Sequence, residues 1–375
     1  MIKIKYEKVD GVKCANLHGR IYSIFDEGRG VREKFWMKRQ GSKNVNYYEP
    51  PRLTRLLFKY NRNEVSCEDW GEIFMSKICE RIGLPCVQYY AAQLYDEFGN
   101  FVGKGVMCGS YKKSHAETEF SVFDLQTKGK IVGDIVDISD MNTVKGTIDC
   151  IREMFEDIDE EGIKKCRTEL IAQAIMDFLL CQTDRHWLNT TILAYDVMGK
   201  QHIRKASCYD NGCIAMLKRK LSAIEGMSRE IGKLGKDSPY LEEKLNSYCP
   251  MFGINTSLVE INKAKNPPGH FEKIKVVNPK QSREIFLDEV VNEILYNPEI
   301  ASFYAYLKSS IQKTGEKGLD IDDIANQIRR AGDDVPSCVA KMIGDVFHHQ
   351  FDVLNDRVTK KLKEIKDQEK ELGYE

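Results

Sequence analysis

The chain has 375 residues, enough for two or three core-bearing units, and its 42% hydrophobic and 30% charged residues exclude a disordered protein. A formal net charge of -1 argues against a nucleic-acid binder, because such domains carry a clear basic excess. Twelve cysteines at scattered spacings form no CxxC pair and no Cys/His zinc pattern, which points to reduced, mostly buried thiols of a cytoplasmic protein.

The N-terminus, Met1-Ile2-Lys3-Ile4-Lys5-Tyr6, lacks the apolar core of a secretory signal, and no run approaches the roughly 18 apolar residues of a membrane span. Export by a specialised system needs no such signal and stays open. From Met1 to about Lys113 the pattern predicts strands interrupted by one strong helix. The loop Asp26-Glu27-Gly28-Arg29-Gly30-Val31 carries a G-x-G in which Gly28 and Gly30 let backbone N–H groups approach a phosphate; a plain β-turn reads equally well. The residues 32–39 alternate as a strand, with Lys34, Trp36 and Lys38 on one face and Phe35 and Met37 on the other.

Ser66 followed by Asp69 reads as a capping-box start. Trp70, Ile73, Phe74, Ile78 and Ile82 then recur at helical spacing until Gly83 and Pro85 end the helix. Strands over 87–95 and 101–108 follow, joined by Asp96-Glu97-Phe98-Gly99-Asn100. The segment Val106-Met107-Cys108-Gly109-Ser110-Tyr111 ends this part, in the place where a kinase hinge lends backbone groups to adenine; Met107 and Cys108 are the candidates.

Past Lys113 an Asp- and Gly-rich segment runs to about Gly162 without an assignable element, and the chain then becomes largely helical. Helices are predicted over 163–181, around Leu241, and over 284–295, 301–313, 318–331 and 336–368. The expected fold is α+β and two-lobed, with a β-rich lobe over 1–113 and a mostly helical lobe over 114–375.

Between these helices lies the chemistry. In Gln182-Thr183-Asp184-Arg185-His186-Trp187-Leu188-Asn189 an Asp and an Asn stand five residues apart, and Cys208-Tyr209-Asp210-Asn211-Gly212 supplies a second Asp. Protein kinases use such a trio: one Asp orients the attacking hydroxyl, and the Asn and second Asp hold Mg²⁺ against the nucleotide phosphates. A strand over 190–195, a turn at Met198-Gly199-Lys200 and a returning strand over 202–208 form a hairpin. Centred near Gly199 and Lys200, it would set Asn189 opposite Asp210.

Each signal has a plainer reading. Asp184 with Arg185 out of context is an ion pair or a cap, Asp210-Asn211-Gly212 alone is a tight turn, and His186 is a packed loop histidine holding carbonyls. A phosphate-binding cleft also needs a Lys and a carboxylate to hold it. Lys38 on its strand and Glu72 in the first turn of the following helix are the chosen pair, with Lys34 and Glu68 as alternatives.

With these residues in place the chain resembles the HipA-like kinases, a bacterial branch of the protein-kinase superfamily that includes secreted pro-inflammatory members. Asp184-Arg185-His186-Trp187-Leu188-Asn189 matches the family's D-R-H-x-x-N, and the helix from Trp70-Gly71-Glu72 to Gly83-Leu84-Pro85 looks like its acidic helix. The resemblance covers about 28–212 and implies a two-lobed kinase with ATP and Mg²⁺ in the cleft. Asp184 would be the catalytic residue, Asn189 and Asp210 the Mg²⁺ ligands, Lys38 the phosphate contact and Glu72 its orienting partner. It implies transfer to a Ser or Thr hydroxyl of a protein and autophosphorylation. Gly28-Arg29-Gly30 departs from the more Ser/Gly-rich family loop but stays the candidate phosphate loop, and with no clear counterpart of a DNA-binding toxin–antitoxin arrangement, a toxin role and an antitoxin partner are not carried over. The alternatives are a lipid or small-metabolite kinase on the same fold, and an ATP-binding pseudokinase acting as a scaffold.

Overall fold

The computed structural model describes residues 1–26, 33–40, 55–61, 66–122, 125, 143–155, 157–185, 189–234, 239–256, 259–261, 274–276, 278–313 and 318–372. Its architecture mixes α and β. Gly28 and Gly30 lie outside the described residues, as do His186, Trp187 and Leu188.

Seven strands form a closed barrel: β1 (Ile2–Val9), β2 (Val12–Leu17), β3 (Arg20–Asp26), β4 (Lys34–Arg39), β5 (Arg55–Tyr60), β6 (Tyr89–Tyr95) and β7 (Phe101–Gly109). Their order is β1-β2-β3-β4-β5-β7-β6, and the parallel pairing of β1 with β6 closes the ring. Side chains alternate across each strand, so one face of each fills the barrel. Ile4, Tyr22, Phe35, Met37, Phe58, Leu94 and Met107 form that interior. On β5 the inward Phe58 turns Leu57 and Lys59 to the other face.

That other face is covered by α1 (Glu68–Ile82), which packs on β6 and β7 through Ile73, Phe74 and Ile78. The expected capping box is not formed: Cys67 is the N-cap, with no side-chain cap bond, and Ser66 Oγ donates to Glu68 Oε2 at 3.4 Å. The expected stop is formed, with Gly83 at φ 72°, a left-handed conformation that glycine adopts without a Cβ clash.

The rest is mostly helical. β8 (Thr118–Ser121), β9 (Thr191–Val197) and β10 (Lys200–Lys205) form a three-stranded sheet in the order β10-β9-β8, and β11 (Val259–Ile261) pairs with β12 (Ile274–Val276). The helices are α2 (Val144–Met154), α3 (Glu160–Leu179), α4 (Leu221–Leu234), α5 (Pro239–Asn246), α6 (Pro279–Tyr296), α7 (Pro298–Gln312), α8 (Ile321–Arg330) and α9 (Ser337–Glu371). Every residue of α3 from Leu170 to Leu179 is buried, as expected of a helix enclosed on all sides, with α9, α7 and β10 packed against it. Two helices are not expected from the sequence: α2 falls in the Asp- and Gly-rich segment without an assigned element, and α4 lies between the hairpin and the helix expected around Leu241.

Among the described residues, no helix is long and apolar enough to cross a membrane. All twelve cysteines are free thiols, nine of them buried.

Candidate active site

The barrel meets the helical part through main-chain pairing. Val87 N donates to Cys208 O at 2.8 Å and Cys208 N donates to Pro85 O at 2.9 Å. This seats the segment after β10 directly under the end of α1. Gly71 completes the contact, since a Cβ there would come within 2.7 Å of Gly212 O.

Glu72 is fully buried and is the centre of the site. Its Oε1 accepts from Lys59 Nζ at 2.8 Å and its Oε2 accepts from the Asn211 main-chain N–H at 2.6 Å. Lys59 Nζ also donates to Asp210 Oδ1 at 2.8 Å. The lysine is only 4% exposed, a position that a cation holds only when paired on all sides.

The partner of Glu72 is therefore Lys59, not Lys38. Lys38 is exposed on the outside of β4, in register with Ser23 and Arg55. The cause is the strand order: α1 lies on β6 and β7, β5 is the neighbour of β7, and β4 is one strand further away. Lys34, the alternative, sits beside Lys59 in the ladder. Among the described residues, Lys59 is the lysine that Glu72 holds.

Asp210 has φ 56°, a left-handed conformation rare outside glycine, and its N–H donates to the Tyr89 hydroxyl at 3.3 Å. Burial pushes the Tyr89 phenol far above its usual range, and the nearby Glu72 carboxylate adds to this, so the ring stays neutral. Gln182 links the two loops. Its Nε2 donates to Asp210 O at 3.2 Å and its Oε1 accepts from Asp184 N at 3.2 Å.

Asp184 is half-buried and its main-chain O accepts from Asn189 Nδ2 at 2.8 Å. Cys213 Sγ lies 3.9 Å from both Asp184 Oδ2 and Glu68 Oε1. Burial, and then the Asp184 carboxylate, push that thiol up to about 12, so it remains a protonated donor.

The hairpin is present, but its register differs from the expectation. Lys200 pairs with Val197 and Lys205 with Ile192, so the turn is centred on Met198 and Gly199. Both have positive φ, 55° and 83°, as a two-residue type I′ turn requires. Asn189 and Asp210 are not equidistant from it. Arg185 bonds to both of the segments that carry them. Its Nη1 donates to Asn189 O at 3.1 Å and Tyr209 O at 2.8 Å, and its Nη2 to Asn211 Oδ1 at 2.5 Å. The ion pair of Arg185 is with Asp177 of α3, at 2.9 Å, not with Asp184.

Met107 and Cys108 lie inside β7, flanked by β5 and β6 on both sides. The Met107 side chain fills the barrel and Cys108 packs toward α1. Ser110 N still donates to Arg55 O at 3.2 Å, so main-chain groups for a nucleotide base would come from beyond that bond.

The donor set suits Mg²⁺. An amide oxygen and a carboxylate are hard oxygen ligands, and Mg²⁺ typically takes one or two protein oxygens and completes its octahedron with phosphates and water. Among the described residues, no group of three or more His, Cys, Asp or Glu could hold a metal ion.

Neither a family model nor a curated protein sequence matches the chain. In fold it is kinase-like: 95% of its length is similar to a solved kinase. That structure is the proinflammatory kinase CtkA of Helicobacter pylori, matched with a TM-score of 0.51 and 11% identity over 99% of its own chain. The HipA, HipB and operator DNA complex of a Shewanella oneidensis toxin–antitoxin system is matched with a TM-score of 0.35 and 8% identity, over 88% of this chain and 64% of that one. At the level of fold, the match to the Helicobacter pylori kinase agrees with the kinase reading of the sequence.

Proposed function

We propose that this protein is an ATP-dependent phosphotransferase of the HipA-like kind, moving the γ-phosphoryl group of Mg·ATP to a Ser or Thr hydroxyl of a protein, itself included. The observation that carries the proposal is Lys59, a buried lysine held between Glu72 and Asp210 at 2.8 Å from each. A cation fixed by one carboxylate from a helix and shared with a second from a metal-binding loop is the arrangement that phosphoryl transfer requires. In this reading 1–113 is the nucleotide-binding lobe and 114–375 the catalytic lobe.

Lys59, in place of Lys38, contacts the nucleotide phosphates, and Glu72 keeps it extended into the cleft. Asn189 and Asp210 hold the metal. Bound there, Mg²⁺ would neutralise the charge of the phosphates and orient the group to be transferred. Asp184 accepts a hydrogen bond from the acceptor hydroxyl and aims its oxygen at that group. Most of the acceleration comes from positioning and charge neutralisation, since the loose transition state asks for little covalent help.

Transfer of labelled phosphate from Mg·ATP tests the proposal, using wild type and Asp184→Ala with and without a generic protein acceptor. Label on the protein or the acceptor with wild type alone supports a protein kinase. Mg²⁺-dependent ATP binding without protein labelling would move the acceptor to a lipid or metabolite. No nucleotide binding would leave a scaffold with a kinase-like fold.

A further inference from the structure

Arg185 is 1% exposed and leads the largest fully buried side chains. Its three guanidinium nitrogens make five hydrogen bonds. Two go to the Asp177 carboxylate, Nε to Oδ2 at 2.9 Å and Nη2 to Oδ1 at 3.3 Å. The others go to Asn189 O, Tyr209 O and Asn211 Oδ1. One planar group thus ties the main chain of one proposed metal ligand to the residues on either side of the other.

The hairpin cannot do this alone. Its named pairs end at Ile192–Lys205, with one further bond from Ala206 N to Thr191 O, before either ligand is reached. Asp177 in turn is anchored on α3, where its main-chain O accepts from Gln182 N at 2.8 Å and from the Tyr248 hydroxyl at 3.1 Å. Burial pushes the Asp177 carboxyl up while the guanidinium pulls it back, and the guanidinium itself is held protonated beside it.

We infer that Arg185, oriented by Asp177, is a positioning residue that sets the separation of Asn189 and Asp210 and thereby the affinity of the site for Mg²⁺. The inference rests on the reading of those two residues as metal ligands. A lysine at this position keeps the charge but cannot reach three acceptors in a plane. Groups one step removed from a metal tune its affinity by about 10- to 100-fold.

The test is the Mg²⁺ concentration that gives half-maximal binding of a fluorescent ATP analogue, measured with the thermal midpoint of each variant. Arg185→Lys is expected to raise it about 10- to 100-fold, with binding restored at saturating Mg²⁺. Asn211→Ala removes one of the three loop contacts and is expected to raise it a few-fold, and it serves if Arg185→Lys does not fold. Folded variants with a Mg²⁺ requirement within twofold of wild type would overturn the inference, as would a loss that Mg²⁺ does not restore. Asn189→Ala separates the two readings. If it abolishes the Mg²⁺ dependence while Arg185→Lys and Asn211→Ala leave it unmoved, the positioning role alone fails. If Asn189→Ala and Asp210→Ala both leave it unchanged, the metal-ligand reading fails first and takes this inference with it.

Discussion

Lys59 and Glu72 form a buried ion pair, 2.8 Å from Nζ to Oε1, that joins strand β5 to helix α1. Glu72 reaches onward to the main chain of Asn211, so one carboxylate sets both the lysine and the loop that carries Asp210. Glu72→Gln keeps the shape but removes the charge. We expect it to cost about 1–3 kcal/mol of stability, because a buried lysine loses the charge of a carboxylate 2.8 Å away. Phosphoryl transfer should fall about 100-fold or more. Denaturant unfolding and a labelled transfer assay check the two effects separately, and a variant with wild-type transfer would exclude Glu72 from the site.

Gly71 faces Gly212 so closely that an added Cβ would lie 2.7 Å from the Gly212 carbonyl oxygen. The clash is with backbone and no rotamer relieves it. Gly71→Ala should push α1 off the Asp210 loop, destabilise by about 1–3 kcal/mol and reduce transfer more than a surface Ala substitution on the same helix. Lys77→Ala, at a partly exposed position paired with Glu80, is the control.

Gly105 lies opposite Tyr60 in the ladder, and a Cβ there would come within 1.9 Å of Lys59 O. Gly105→Ala must therefore displace the strand that carries Lys59. The expected cost is about 3 kcal/mol or more, near the upper end for overpacking. A thermal midpoint equal to wild type would contradict the tight pairing of β5 with β7.

Removal of divalent metal should stop transfer and leave the fold unchanged. Asp210 already has a counter-ion in Lys59, so its carboxylate is not left unpaired when no metal is bound. Chelation is expected to shift the thermal midpoint of the nucleotide-free protein by no more than a degree or two, within the small stability change that loss of a weak surface-accessible ligand brings. Unfolding on chelation would mean that the metal is structural.

The residue types of the candidate site were legible because each does recognisable chemistry: Asp184 and Asn189 stand between an apolar helix and a hairpin, and Asp210 stands just after that hairpin. The lysine was not. Lys38 fits the order of a strand lysine followed by a helix carboxylate, but that order does not say which strand adjoins the helix, and β5 rather than β4 is the neighbour of β7. Lys59 sits in Arg55-Leu56-Leu57-Phe58-Lys59-Tyr60, where a lone cation within an apolar run is itself a sign of a buried, paired role. The hairpin was found, but its register was off because a methionine with positive φ at Met198 has no sequence signature. Helix α2 was hidden by its polar surroundings, although Val144, Thr147, Ile148 and Ile151 have helical spacing and Thr143 caps it by accepting from Gly146 N. The contacts of Arg185 with Tyr209 and Asn211 cross 24 and 26 residues of chain, and no spacing in the sequence marks them.

The most direct test compares two lysines in one assay. Lys59→Met and Lys38→Met each remove a charge from a barrel strand, and only the first removes it from the pair with Glu72 and Asp210. Transfer of labelled phosphate from Mg·ATP should fall about 100-fold or more in Lys59→Met and stay within twofold of wild type in Lys38→Met. Full activity in a folded Lys59→Met, or loss confined to Lys38→Met, would contradict the site described.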